Sequence, residues 1–137
     1  MFETPSGTIK PITYIGIVNN DKLLLVNYKQ APNPTKTGWW IPAPGIPFGK
    51  DPKGIAENTA LEFGFTNADI KLLDVESFVA PGGWHMIYHY ILKTNIEPKP
   101  HNNINAYKWV TMKELSQMED IAHGRWEINV GTNFLKA

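Results

Sequence analysis

Residues 39–65 read Trp39-Trp40-Ile41-Pro42-Ala43-Pro44-Gly45-Ile46-Pro47-Phe48-Gly49-Lys50-Asp51-Pro52-Lys53-Gly54-Ile55-Ala56-Glu57-Asn58-Thr59-Ala60-Leu61-Glu62-Phe63-Gly64-Phe65. Trp39 to Pro42 is a short extended piece. The Pro and Gly residues of 42–49 exclude a helix and make a central strand hard to build. Asp51 is a natural N-cap, and Pro52 suits the first helical position. Ile55, Ala56, Thr59, Ala60 and Phe63 then recur at helical spacing. Gly64 supplies the left-handed residue that ends a helix. Asn58, Leu61 and Glu62 share a second face of that helix.

Upstream, Ile12–Val18 and Lys22–Tyr28 are strand-like and flank an Asn19-Asn20-Asp21 turn, which predicts a β-hairpin. Residues 29–38 form a Pro- and Gly-bearing loop, and residues 1–11 a loose N-terminal arm. Downstream, Ile70–Ala80 and Trp84–Lys93 are predicted strands around the Pro81-Gly82-Gly83 turn. Residues 94–106 are a polar loop, and 107–110 a short strand. Thr111 to Glu114 has the pattern of a capping box. The segment from Asp120 to Leu135 is predicted to be partly helical around Trp126, Ile128 and Phe134, with Gly124 and Gly131 weakening it. The expected class is α+β, a mixed sheet flanked by helices in an α/β/α sandwich, forming one domain over residues 1–137.

The 137 residues carry 13 basic and 13 acidic side chains and no Cys. Zero net charge disfavours a nucleic-acid polymer as partner, because phosphate neutralisation draws on an excess of Lys and Arg. The lack of Cys excludes disulfides, thiolate nucleophiles and Cys-based zinc sites. No stretch resembles a signal peptide, and none approaches the roughly eighteen apolar residues of a membrane span. The expectation is a soluble, cytoplasmic protein without a membrane partner.

The order of these elements, and the stretch from Trp40 through Pro44-Gly45 and Gly49 to Glu62-Phe63-Gly64-Phe65, resembles the Nudix hydrolase (MutT-like) family over residues 12–118. Tyr107-Lys108-Trp109-Val110, followed by Glu114-Leu115, resembles that family's later strand and helix. The family's loop opens with Pro-Gly-Gly and leads to a Glu; its helix carries Arg-Glu and then Glu-Glu before the Gly. With Gly64 as that Gly, Glu62 matches the second Glu of the pair and Leu61 stands at the first. Asn58 and Glu57 stand at Glu and Arg, and Thr59 at the aliphatic position. Gly49 or Lys50 takes the place of the loop Glu. The resemblance implies hydrolysis of a nucleoside diphosphate derivative with magnesium or manganese, a small phosphorylated or nucleotide-like ligand, and pairing into a homodimer through exposed strands. The residues it implies are Glu62 and Glu57 for catalysis, and Glu62 with Asn58 for the metal. The box is degenerate: magnesium takes hard carboxylate oxygens, and pyrophosphate hydrolysis draws on two or more ions.

Further candidates come from side-chain chemistry. His85 and His89 share one strand face with Ile87 and can touch a ligand or carry a proton; packing across a half-buried sheet is the alternative. Trp40, Trp84 and Tyr88 offer flat surfaces for a base, or serve as core. Trp39 and Trp40 face opposite ways, one to the core and one toward a cleft. Trp109 reads as core. Lys29, Lys36 and Lys50 are loop cations, and Asp74 and Glu76 are strand carboxylates. Three readings follow: a Nudix-like hydrolase with a weakened metal site, an inactive Nudix-fold module that binds a ligand or regulates, and metal-free acid–base chemistry through His85, His89 or Glu62.

Overall fold

Two stretches rich in β-branched and aliphatic residues, β1 (Ile9–Asn19) and β2 (Lys22–Tyr28), meet at a tight turn where Asn20 adopts a left-handed φ of 56°. The computed structural model describes residues 7–137. Residues 1–6 of the expected arm lie outside that range, while Ile9–Pro11, also expected in the arm, open β1 and run alongside Trp84–Met86.

β1 and β2 pair only at Val18–Leu23 and Asn19–Lys22. Beyond that they part, and residues 40–46 fill the gap. Trp40 exchanges both backbone hydrogen bonds with Val26, each 2.8 Å. Pro44 and Pro42 accept from the amides of Thr13 and Ile15 at 3.0 and 2.9 Å, and Ile46 donates to Pro11 at 3.1 Å. The proline-rich stretch therefore does lie at the centre of the sheet, contrary to the sequence expectation. The reason is that β1 demands only carbonyl oxygens from Pro42 and Pro44, and a proline keeps its carbonyl.

Helix α1 (Pro52–Glu62) follows, with the Asp51 carboxylate accepting from the Gly54 amide at 3.1 Å and Gly64 at φ 85° beyond its end. β3 (Ile70–Ala80) and β4 (Gly83–Lys93) form an antiparallel pair with a bulge between Leu72 and Asp74. β4 also runs parallel to β1. β5 (Ile104–Thr111) is longer than expected, beginning within the predicted loop, and pairs with β2. The capping box at Thr111 and Glu114 opens α2 (Met112–Ser116). The sheet order is β3-β4-β1-β2-β5.

The final segment is a full helix, α3 (Gly124–Lys136). Gly131 does not break it. A Cβ there would come within 2.6 Å of a Leu115 methyl and 2.9 Å of a Leu23 methyl, so glycine permits close packing on α2 and β2. Ala56, Thr59 and Ala60 bury the sheet-facing side of α1, and Ile128, Val130 and Phe134 that of α3. The two helices cover opposite faces of the sheet, as expected of an α/β/α sandwich. No helix among the described residues is long and apolar enough to cross a membrane.

Candidate functional site

On α1, Asn58 and Glu62 lie one turn apart, and the Asn58 amide donates to Glu62 Oε1 at 3.0 Å. The other oxygen, Oε2, faces His101 Nε2 at 3.8 Å, and the His101 ring packs on Phe63 with centroids 5.4 Å apart. His101 comes from the loop before β5. Sequence reasoning missed it, because nothing in a polar, Pro-containing loop marks which residue returns to a helix 39 positions earlier. Lys99 comes from the same loop. Its amide donates to the Phe63 carbonyl at 2.7 Å, and its side chain lies against Gly64. Leu61 stands between Asn58 and Glu62 with 57% of its surface exposed, an aliphatic group turned to solvent. Glu57 is exposed and five positions from Glu62, so it projects from a different side of the helix.

This arrangement does not fit a multi-ion magnesium centre. The one carboxylate of the Asn58–Leu61–Glu62 face is already bracketed by an amide and an imidazole. Leu61 brings no ligand atom. Among the described residues, no group of three or more His, Asp or Glu side chains is placed to hold a metal. Two cavities, of about 320 and 500 Å³, lie elsewhere, and neither is lined by an α1 residue.

The five predicted ligand-contacting residues do not converge. Trp40 is 2% exposed, wedged edge-on between Tyr28 and His123 with centroids 6.0 and 4.8 Å away; it is core, not a stacking platform. Of the tryptophan pair it is Trp39 that stays half-buried, with Lys108 Nζ 4.5 Å over its ring. Trp84 and Tyr88 share a strand face with Tyr90, on the α1 side of the sheet, and both are half-buried. His85 and His89 point to the opposite side. His85 stacks on Phe78 at 5.4 Å and turns Nδ1 to the Gly83 carbonyl. His89 is buried against Trp126 and Phe134 of α3. Trp109 is half-buried rather than core, and its indole donates to Glu97 Oε2 at 2.7 Å.

The α3 side holds a second polar assembly. Glu127 has no exposed surface; its Oε2 accepts from the Ile41 amide at 2.7 Å and its Oε1 from His123 Nδ1 at 2.8 Å. The central 40–46 segment thus gains a partner for an amide that no strand supplies. Burial pushes the Glu127 carboxyl above the ordinary carboxylate range against those two hydrogen bonds, which pull it down. The Tyr14 hydroxyl is 3.4 Å from the same His123 nitrogen, and burial holds that phenol well above its usual value. Beside this, the Trp126 indole donates to Glu76 Oε1 at 3.0 Å, and His89 Nε2 lies 3.5 Å from that oxygen. Burial lowers the His89 pKa, with Glu76 and Asp74 opposing it. Glu127 was legible as an anomaly: at helical spacing it falls with Val130, Gly131 and Phe134 on the buried stripe of α3, where an acid needs a partner.

The architecture is that of the Nudix hydrolases. The MutT protein of Methanosarcina mazei Go1 superposes with a TM-score of 0.74 at 15% identity, covering 97% of each chain. The NUDIX domain of Shewanella oneidensis NrtR, solved with ADP ribose, gives 0.72 at 14% identity over 95% of this chain and 90% of that one. A NUDIX-family hydrolase from Clostridium perfringens gives 0.69 at 17% identity over 92% and 95%. No family model matches the sequence. No curated protein matches it either. The shared property is therefore the fold.

Proposed function

We propose that this chain is a Nudix-fold module that binds a small nucleoside diphosphate derivative against α1 without hydrolysing it. The observation that carries this reading is the state of Glu62: one carboxylate, held by Asn58 and His101, with Leu61 exposed beside it. A helix face crowded with carboxylates repels phosphate until metal ions neutralise it. A face with a single paired carboxylate, an imidazole and the nearby Lys99 can meet a diphosphate directly, through N–H donors and positive charge. The ADP ribose seen in the NrtR domain supports this ligand class. The test is calorimetry with ADP ribose in magnesium and in EDTA, with product analysis after prolonged incubation. The expected result is saturable binding that chelation leaves unchanged, with the nucleotide recovered intact. His101→Ala is expected to weaken it about tenfold, the scale of one charge-assisted hydrogen bond.

A second reading, a slow magnesium- or manganese-dependent hydrolase of the same ligand class, draws on the survival of Glu62 and Asn58 side by side. It requires turnover that disappears both on chelation and in Glu62→Gln.

A further inference from the structure

We infer that the free edge of β3 is an interface between two copies of this chain, in which residues 74–80 pair antiparallel with the same residues of the second copy about a two-fold axis at Ser77. The inference is independent of the function proposed above. It gives the pairing expected through exposed strands one edge and one register. β3 ends the sheet on one side and β5 on the other. Of the ten large apolar side chains exposed among the described residues, five lie on β3 (Leu72, Leu73, Val75, Phe78 and Val79) and none on β5. A long, exposed, apolar edge is a template for another strand. The bulge between Leu72 and Asp74 closes the regular edge at one end, and Pro81, which lacks an N–H, closes it at the other. Within the seven residues between them there is no Lys and no Pro, the residues that keep an edge single.

Backbone direction decides which registers can form. At the ends of β4 the Trp84 and Thr94 amides donate to Thr8 and Val18 on the β1 side, at 2.8 and 2.9 Å. The even positions of β4 therefore turn their backbone groups to β1 and the odd ones to β3. Opposite His85, Ile87 and His89 stand Phe78, Glu76 and Asp74, whose N–H and C=O groups face inward. Val75, Ser77 and Val79 point theirs out of the sheet. The Val75 amide agrees with this, since it donates to Asp74 Oδ1 at 2.9 Å. These three positions can face only the same set on a second copy. A two-fold at Val75 sets Asp74 against Glu76 of that copy, and one at Glu76 sets this acid against itself. Like charges directly opposite destabilise a strand pair. A two-fold at Ser77 avoids both, and centres beyond it shorten the ladder. It sets Val75 opposite Val79 of the second copy, with the half-buried Tyr88 and Trp84 next to them on β4, so one apolar row crosses the junction. On the other face Glu76 stands opposite Phe78, and Asp74 opposite Ala80. The two-fold closes both apolar edges on each other and leaves none to propagate.

The test is sedimentation equilibrium of the full chain from micromolar to millimolar concentration. The proposal expects a reversible monomer–dimer equilibrium. Val79→Lys, at a position 83% exposed, is expected to abolish the dimer with an unchanged urea midpoint of the monomer. Ile96→Lys, on an exposed loop position outside β3, is expected to leave it intact. Asp74→Ala releases the Val75 amide for the second copy, and is expected to tighten the dimer by more than about fivefold, the scale of one net hydrogen bond. The chain has no Cys, so single cysteines report the register. Ser77→Cys is expected to form an intermolecular disulfide on mild oxidation, with facing Cα atoms ~5.5 Å apart. Val79→Cys is not, because residue 79 of the second copy lies four positions along, ~13 Å away. A chain monomeric throughout, its edge left to a different protein or to none, would overturn the assignment. So would a dimer that Val79→Lys leaves intact, no tightening in Asp74→Ala, or a disulfide that forms as fast at 79 as at 77.

Discussion

The two faces of the sheet treat acidic side chains in opposite ways. On the α1 face, Glu62 is half-exposed and loosely tethered, and its neighbours at the positions of chemical interest are an amide and an aliphatic group. On the α3 face, Glu127 is completely buried and ties a helix to the central 40–46 segment, while Glu76 serves both Trp126 and His89. The carboxylate tethered on the α1 side thus stays exposed to solvent, whereas Glu127 on the other side is wholly buried. The opposite side holds the satisfied, buried polar groups that make a fold specific. The strong side-chain interactions of this chain thus lie in the scaffold and not at the candidate site on α1.

The contrast predicts asymmetric responses to mutation. Glu127→Ala strands the Ile41 amide and His123, and is expected to cost about 3 kcal/mol in urea unfolding. Glu127→Gln, which can still accept from Ile41, is expected to cost less. Next, Gly16→Ala places a methyl inside the Phe134 ring, so that ring and α3 must shift. A loss of about 2 kcal/mol is expected, with the Phe134 aromatic resonances displaced. On the α1 face, Glu62→Ala and Asn58→Ala are each expected to stay within about 0.5 kcal/mol of the parent chain, as for exposed pairs. A large loss there would dissolve the comparison.

A pH series sharpens it further. The His89 pKa is lower in the fold than its ordinary 6.5, so the unfolded chain takes up a proton first as pH falls. Its contribution to stability is present above pH 6.5 and is lost as pH drops through 6.5 toward the folded value. Glu127 has the opposite sign: its carboxyl is raised above 4.5, so its contribution is full below 4.5 and declines as pH rises through the folded value. His89→Gln is therefore expected to flatten the loss of stability between neutral and mildly acidic pH, and Glu127→Gln to deepen it. Unfolding midpoints measured across that range check both signs.

Most of the scaffold was legible because it rests on local chemistry. The Asp51 cap, Pro52, Gly64 and the Thr111–Glu114 box each satisfy backbone groups within a few residues, and the strand pair around Gly82-Gly83 follows from alternation and turn residues. The placement of residues 40–46 was not legible. A proline's unsuitability for a central strand turns on which neighbour asks for its N–H, and that is a tertiary fact. The extension of β5 back to Ile104 likewise depends on β2 being there to pair with it. Of the candidate site, the pairing of Asn58 with Glu62 followed from helical spacing. The split of His85 and His89 from Trp84 and Tyr88 was implicit in strand alternation, although the side on which each helix packs was not. His101 on Glu62 and Glu127 on the Ile41 amide are contacts between distant segments that no local pattern encodes, although the four-residue spacing of His123 and Glu127 is itself helical.

The central claim, that the α1 face does not gather the ions phosphoanhydride hydrolysis demands, is tested most directly by electron paramagnetic resonance of Mn²⁺ titrated into the chain with ADP ribose present. The account predicts that the signal of the free hexaaquo ion stays at the level of a buffer control containing ADP ribose alone, and that Glu62→Gln behaves identically. Two ions sequestered per chain, and released by that single substitution, would contradict it.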